Sequence, residues 1–180
     1  NCKSVLFNQY LDRVLPENES QLLLQELLGS IFLPGLNLEF FAILYGDGSN
    51  GKSVLHRIIA ALFGSENIST LSWDQLFIQT ELINIDGKLL NYGSEINSHK
   101  GTNYDLIKQL SSREEIYVRS RYNQSYPTSN YGRLFFNANL LPVITEFSHA
   151  IFRRIQLVVF DQVIAAEDKD TELANKIIRI

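Results

Sequence analysis

The sequence holds no methionine, a single cysteine, a single tryptophan and only four prolines among its 180 residues. One cysteine, Cys2, cannot close an internal disulfide, which excludes a disulfide-stapled secreted scaffold and fits a reducing compartment. No apolar run approaches the roughly 20 residues that span a bilayer, and the N-terminal stretch lacks the basic, apolar and small-residue order of a signal peptide. The expectation is a chain without membrane contact that stays in the cytoplasm. Ten glycines and four prolines, with no internal repeat, exclude collagen-like and low-complexity order. A start at Asn1 with no methionine anywhere leads us to expect a piece of a longer protein. What is present is 45% hydrophobic and 20% charged residues, enough for one substantial core. Sixteen basic against twenty acidic residues give a net charge of -4, which argues against a surface that grips nucleic acid all over. The positive charge is nevertheless concentrated: residues 116–160 carry Arg119, Arg121, Arg133, Arg153 and Arg154 against Glu146 alone.

Helical spacing of Val5, Leu6, Leu11, Val14 and Leu15 predicts a first helix ended by Pro16. A second follows, with Asn18 and Gln21 as a capping box and Leu22 to Leu28 as its buried side. After the Pro34-Gly35 turn, strand and helix patterns alternate, which predicts an α/β domain with a largely parallel, buried sheet. Phe40 to Tyr45 reads as an interior strand, Val54 to Phe63 as a helix stopped by Gly64, and Ser72 as the cap of a short helix reaching Phe77. Asp86-Gly87 is a turn before a strand over 88–93, and Thr102 to Leu110 reads as a helix. Ile116 to Tyr122 and Tyr131 to Asn137 read as strands flanking the polar segment 123–130, a hairpin or two strands with a long tip. Ile155 to Phe160 is a last strand, and Glu172 to Ile180 a terminal helix. We expect residues 1–35 to form a helical lead-in and residues 36–180 the core.

Between the first strand and its helix stands Gly46-Asp47-Gly48-Ser49-Asn50-Gly51-Lys52-Ser53, a full G-x-x-x-x-G-K-[ST] loop. Glycines are needed there because backbone N–H groups must point inward at phosphate oxygens, and the helix that follows adds its positive N-terminal end. In such a loop the lysine, Lys52, reaches the β- and γ-phosphates and the hydroxyl of Ser53 ligates Mg²⁺, with Val54 completing the first turn. The loop alone leaves the reaction open, since kinases, switches and motors share it. Glu95, at the end of the following strand, is the candidate to hold an attacking water and to support Mg²⁺. Ser94 stands where many such enzymes carry aspartate. Asn139, at another strand end, is a candidate to orient that water. Arg153 and Arg154 are candidates to stabilise transferring phosphoryl charge from a neighbouring subunit. Arg119, Arg121 and Tyr122 combine charge for phosphates with a ring for stacking, a sequence-tolerant way to hold one nucleic-acid strand.

Taken together, GDGSNGKS, GKLLNYGSEI, IKQLSSREEIYVRSRY, LFFNANLLP and AIFRRIQLVVF resemble, in order and spacing, the superfamily 3 helicase domain of phage and plasmid primases and of large-DNA-virus primase-helicases. The resemblance covers nearly the whole chain. It implies a P-loop NTPase of AAA+ type, with a central, mostly parallel five-stranded sheet flanked by helices and an inserted β-hairpin. It implies ATP and Mg²⁺ as cofactors, single-stranded DNA as a partner, a homo-oligomeric and usually hexameric ring, and a primase domain in the same full-length chain. The setting it implies is the cytoplasm of a bacterium or of a phage-bearing host. In that family Lys52 and Ser53 match the first ATPase motif, Glu95 the second and Asn139 the sensor asparagine; Arg154 matches best the finger acting in trans, with the adjacent Arg153 as the alternative. Lys108 matches a basic position near the neighbouring nucleotide, and Arg121-Tyr122 the tip of a hairpin in the channel. A small-molecule P-loop kinase and a nucleotide-dependent assembly module are the alternatives.

Overall fold

A computed structural model describes residues 4–33, 35–36, 38–94, 103–120, 124–141 and 149–179. Helix α1 (Val5–Val14) begins where the Ser4 side chain accepts the Phe7 N–H at 3.2 Å. Helix α2 (Asn18–Ile31) starts without a side-chain cap, so the expected capping box is not formed. Gln21 instead donates to Asp12 Oδ1 at 3.0 Å and to the Leu15 carbonyl at 2.8 Å, tying α2 back onto α1. A side-chain amide that can satisfy a carbonyl left open at the end of α1 wins over a local cap.

Strand β1 (Phe41–Tyr45) leads through the glycine loop into helix α3 (Lys52–Phe63), and β2 (Ile68–Ser69) follows. A 3-10 turn over Asp74–Phe77 follows Ser72, the expected cap, whose hydroxyl accepts from the Gln75 N–H and whose backbone N–H donates to Gln75 Oε1. Then come α4 (Gln79–Leu82), β3 (Leu90–Ser94) and α5 (Tyr104–Ser112), the last capped by the Asn103 side chain. Strands β4 (Ile116–Val118) and β5 (Tyr126–Thr128) pair antiparallel as the inserted hairpin. Strand β6 (Arg133–Ala138), helix α6 (His149–Phe152), strand β7 (Ile155–Val159) and helix α7 (Leu173–Ile178) complete the order.

The hairpin differs from its sequence reading. Part of the segment taken as a polar tip is strand β5, with Pro127 opposite Tyr117, a position open to proline because this two-stranded ribbon has free edges. The run over 131–137 belongs to the main sheet instead. That sheet has the order β2-β3-β6-β1-β7, and every pair in it is parallel.

Both faces are covered, which explains why the strands read as continuous apolar runs. Along β1, Ala42 and Leu44 pack with α1, α2 and α3 through Val14, Leu24, Leu27 and Leu55, while Phe41 and Ile43 pack on the other face with Trp73, Leu76 and Ile107. The parallel sense brings the C-terminal ends of β1, β3 and β6 to one edge. The connection from β1 runs to β2 at one edge of the sheet, and the connection from β6 passes over β1 to β7 at the other, the kind of reversal at which open α/β sheets bind ligands. No described helix is long and apolar enough to cross a membrane.

Candidate functional site

The loop between β1 and α3 is pinned from three directions. Gly46 N–H donates to the Ala138 carbonyl at the end of β6 (3.0 Å), and the buried Asn50 side chain donates to the Phe160 carbonyl just after β7 (3.1 Å). Ile164 N–H donates to the Ser49 carbonyl at 2.7 Å, and the Tyr10 hydroxyl on α1 donates to the Gly51 carbonyl at 3.0 Å. The backbone is left-handed at Gly48 (φ 101), Ser49 (φ 50) and Gly51 (φ 88). At Gly51 the requirement for glycine is double: the dihedral disfavours side chains, and a Cβ would meet Val14 Cγ1 at 2.6 Å. Helix α1 is thus packed hard against the loop.

Helix α3 opens with Lys52 and has no acidic residue in its first turn, so its N-terminal end keeps its positive character. Lys52 is buried, and its ammonium donates to the Gly46 carbonyl. Burial lowers its pKa, with the Asp47 charge acting in the opposite sense. Ser53 is exposed one residue further on.

These residues open onto a cavity of about 710 Å³. Gly48 to Val54 form its floor, with Gly46 buried behind them and Asp47 exposed. One wall consists of the strand ends Ser94, Asn137 and Asn139. The other is built by Tyr10 and Arg13 of α1 together with Ile164, Asp168 to Thr171 and Leu173. The second wall is held by Arg13 paired with Asp168 at 2.6 Å and by Lys169 donating to Ser49 Oγ at 3.0 Å. The volume lies within the roughly 300–1,000 Å³ of small-molecule sites.

The expected site residues divide into groups. Lys52, Ser53 and Asn139 line the cavity. Glu95, Arg121 and Tyr122 lie outside the described residues. Arg119 is exposed just beyond β4. Lys108 forms an ion pair with Asp105 at 3.2 Å on α5 and is not part of the cavity wall. Arg153 and Arg154 sit at the other end of the sheet, where Phe41 N–H donates to the Arg154 carbonyl as β1 begins. Arg154 is buried, and its guanidinium bonds Glu39 at 2.6 Å, the Ala150 carbonyl at 2.8 Å and Ser112 Oγ at 3.1 Å. Arg153 also reaches Glu39, at 2.9 Å, but its side chain is 53% exposed.

Sequence reasoning missed Tyr10, Arg13, Asn137, Lys169 and the whole second wall. Only Asn137 carried a readable signal: a lone amide inside the apolar run Leu134 to Ala138 must find a partner or a ligand. The α1 wall and the 164–173 wall meet only through contacts more than a hundred residues apart, which no local pattern encodes.

The fold is shared with solved structures of low sequence identity. The NrS-1 C-terminal region in its A form apo structure superposes with a TM-score of 0.78 at 20% identity, over 99% of this chain and 43% of that one. A second apo structure of that region, residues 305–718, gives 0.79 at 19% identity, over 99% and 44%. JCV helicase, solved with a small molecule bound, gives 0.60 at 10% identity, over 94% and 49%. The chain therefore spans less than half the length of each of these proteins. Residues 44–154, from the end of β1 to Arg154, match the model of DUF5906, described as a family of unknown function, and by that match the chain belongs to this family.

Proposed function

We propose that this chain is the ATP-hydrolysing motor of a DNA helicase of the superfamily 3 type, working as a homo-oligomeric ring within a longer phage- or plasmid-type replication protein that also carries a primase. The carrying observation is the cavity. A complete G-x-x-x-x-G-K-S loop forms its floor, the positive end of α3 points into it, and polar strand ends flank it. The likeness of fold to JCV helicase supports the motor reading.

The donor set fits a nucleoside triphosphate with Mg²⁺. Buried Lys52 supplies a desolvated cation, worth more to a phosphate than one in water. Glycine geometry lets the backbone approach closely, and exposed Ser53 offers an oxygen suited to a hard cation. When bound, the nucleotide supplies the transferable phosphoryl group and Mg²⁺ offsets its charge. Lys52 and the amides from Gly48 to Ser53 hold the phosphates, Glu95 takes the proton of the attacking water, and Asn139 orients that water. Of the two arginines, Arg153 is the one placed to reach a neighbouring subunit, because its side chain is exposed whereas moving the buried Arg154 would break three hydrogen bonds. Arg119, Arg121 and Tyr122 hold the DNA strand.

The test is ATP turnover against protein concentration, with and without single-stranded DNA. Specific activity should climb as subunits assemble and climb again with DNA. Turnover that is independent of concentration and DNA would favour a small-molecule kinase, and DNA binding without turnover an assembly module.

A further inference from the structure

We infer that Asn137, oriented by Tyr92, is a second amide donor at the γ-phosphate end of the cavity, acting beside Asn139; the inference rests on the ATPase reading above. Three observations carry it. The first is place. Asn137 lines the cavity directly opposite Ser94 in the β3–β6 register, one residue before the Ala138 carbonyl that receives Gly46 N–H. Lys52 in turn donates to the Gly46 carbonyl, so Asn137 stands at the lysine end of the loop, away from the wall of α1 and residues 164–173. In a loop of this type the lysine marks the β- and γ-phosphates.

The second is direction. Tyr92 is 1% exposed, and its hydroxyl donates to Asn137 Oδ1 at 3.0 Å. A carboxamide whose oxygen is engaged has its N–H₂ to offer elsewhere. Phosphate oxygens only accept, so the polarity of this amide decides whether it attracts or repels the ligand. Burial raises the Tyr92 pKa, and the phenol stays a donor at any working pH.

The third is rigidity. The His56 ring stacks on Tyr92 with centroids 4.5 Å apart and planes 12° from parallel, and Phe135 closes in at 6.5 Å. His56 belongs to α3, one turn beyond Ser53, so the helix that follows the phosphate loop also clamps the residue that aims Asn137. Preorganised donors of this kind stabilise charge without reorganising as it develops.

The measurement is the ratio of dissociation constants for ATP and ADP, together with kcat, for the chain and for Asn137→Asp, Asn137→Ala and Tyr92→Phe. Asn137→Asp keeps an oxygen for Tyr92 and so keeps the fold, but places a carboxylate where the donor was. It should weaken ATP relative to ADP and lower kcat roughly a hundredfold, the scale of losing one preorganised donor. Asn137→Ala should lower kcat roughly tenfold, and Tyr92→Phe a few-fold with ADP affinity unchanged. Tyr92→Phe combined with Asn137→Ala should be no worse than Asn137→Ala alone, since one acts through the other. An Asn137→Asp variant with normal turnover, or equal weakening of ATP and ADP in all variants, overturns the assignment. Lys52→Ala keeps the two readings apart: if it leaves turnover intact, the ATPase reading fails, whereas if only the Asn137 and Tyr92 variants are silent, the inference alone fails.

Discussion

The two ends of the parallel sheet are built on different principles. At the C-terminal ends of β1, β3 and β6, backbone groups and short polar side chains face a cavity, and glycines make room for the approach. At the N-terminal ends, long cationic side chains are consumed by the protein itself. Arg154 is locked on Glu39, and Arg133 donates to the Leu36 and Leu38 carbonyls while lying 5.0 Å over the Phe40 ring. One end keeps its donors for a ligand, and the other spends its cations on fixing the segment that enters β1. Positive charge in a sequence is thus no guide to where charge is available; burial decides.

The largest effect should come from the C-terminal end. Lys52→Ala removes the one buried cation of the cavity floor and should lower ATP turnover by roughly a thousandfold, with little change in melting temperature. A large drop in stability with residual turnover would mean that Lys52 serves the fold, and the contrast between the ends would collapse. At the other end the expectation reverses. Arg154→Ala leaves Glu39, Ser112 and the Ala150 carbonyl without their shared partner and should cost about 2 kcal/mol of stability, less than a wholly buried pair because Glu39 is partly exposed. Arg153→Ala removes an exposed contact to the same carboxylate and should cost under about 1 kcal/mol in denaturant melts. Its effect belongs to assembled protein, where turnover should fall and should recover when variant subunits are mixed with Lys52→Ala subunits carrying an intact Arg153. No recovery in the mixture would remove Arg153 from the subunit seam.

How much of this was legible in the sequence follows the same division. The loop between β1 and α3 could be read because its geometry demands glycines at fixed spacing, and the sheet because strands buried on both faces leave continuous apolar runs such as Phe41 to Leu44. The hairpin could not be bounded, since β4 and β5 are three residues each and polar residues dominate the surrounding segment. The arginine pair was located, but the resemblance put Arg154 first, and Arg154 is the one held inside by Glu39, Ala150 and Ser112 while Arg153 is exposed. Burial of Arg154 depends on Glu39, 115 residues away, and adjacent identical side chains give no hint which one turns inward. Asn137 was visible as a letter and missed as a function because its meaning comes from Tyr92 on another strand, 45 residues distant.

The smallest expected effect tests whether the two ends communicate. Asp86 precedes β3 and accepts hydrogen bonds from the Tyr126 hydroxyl at 2.8 Å and the Thr128 hydroxyl at 2.6 Å, both on β5. Gly87 N–H adds a bond of 2.6 Å to the Asn130 carbonyl. The hairpin base therefore hangs on the turn that starts β3, and five residues of strand later Ser94 faces the cavity opposite Asn137. Under the proposed function, a strand bound at the hairpin would push on β3, a stiff rod that leads to the cavity. Asp86→Ala removes both acceptors and leaves the buried Thr128 hydroxyl, which still accepts the Asn130 N–H, with no acceptor for its own proton, which should cost about 1 kcal/mol of stability. Turnover without DNA should hold, because nothing in the cavity wall changes. The gain in turnover on adding single-stranded DNA should shrink several-fold, and Asp86→Asn, which keeps one acceptor oxygen, should restore part of it. If the DNA-stimulated ratio is the same in Asp86→Ala as in the parent chain, β3 transmits nothing, and the N-terminal ends of the sheet serve only to hold the fold.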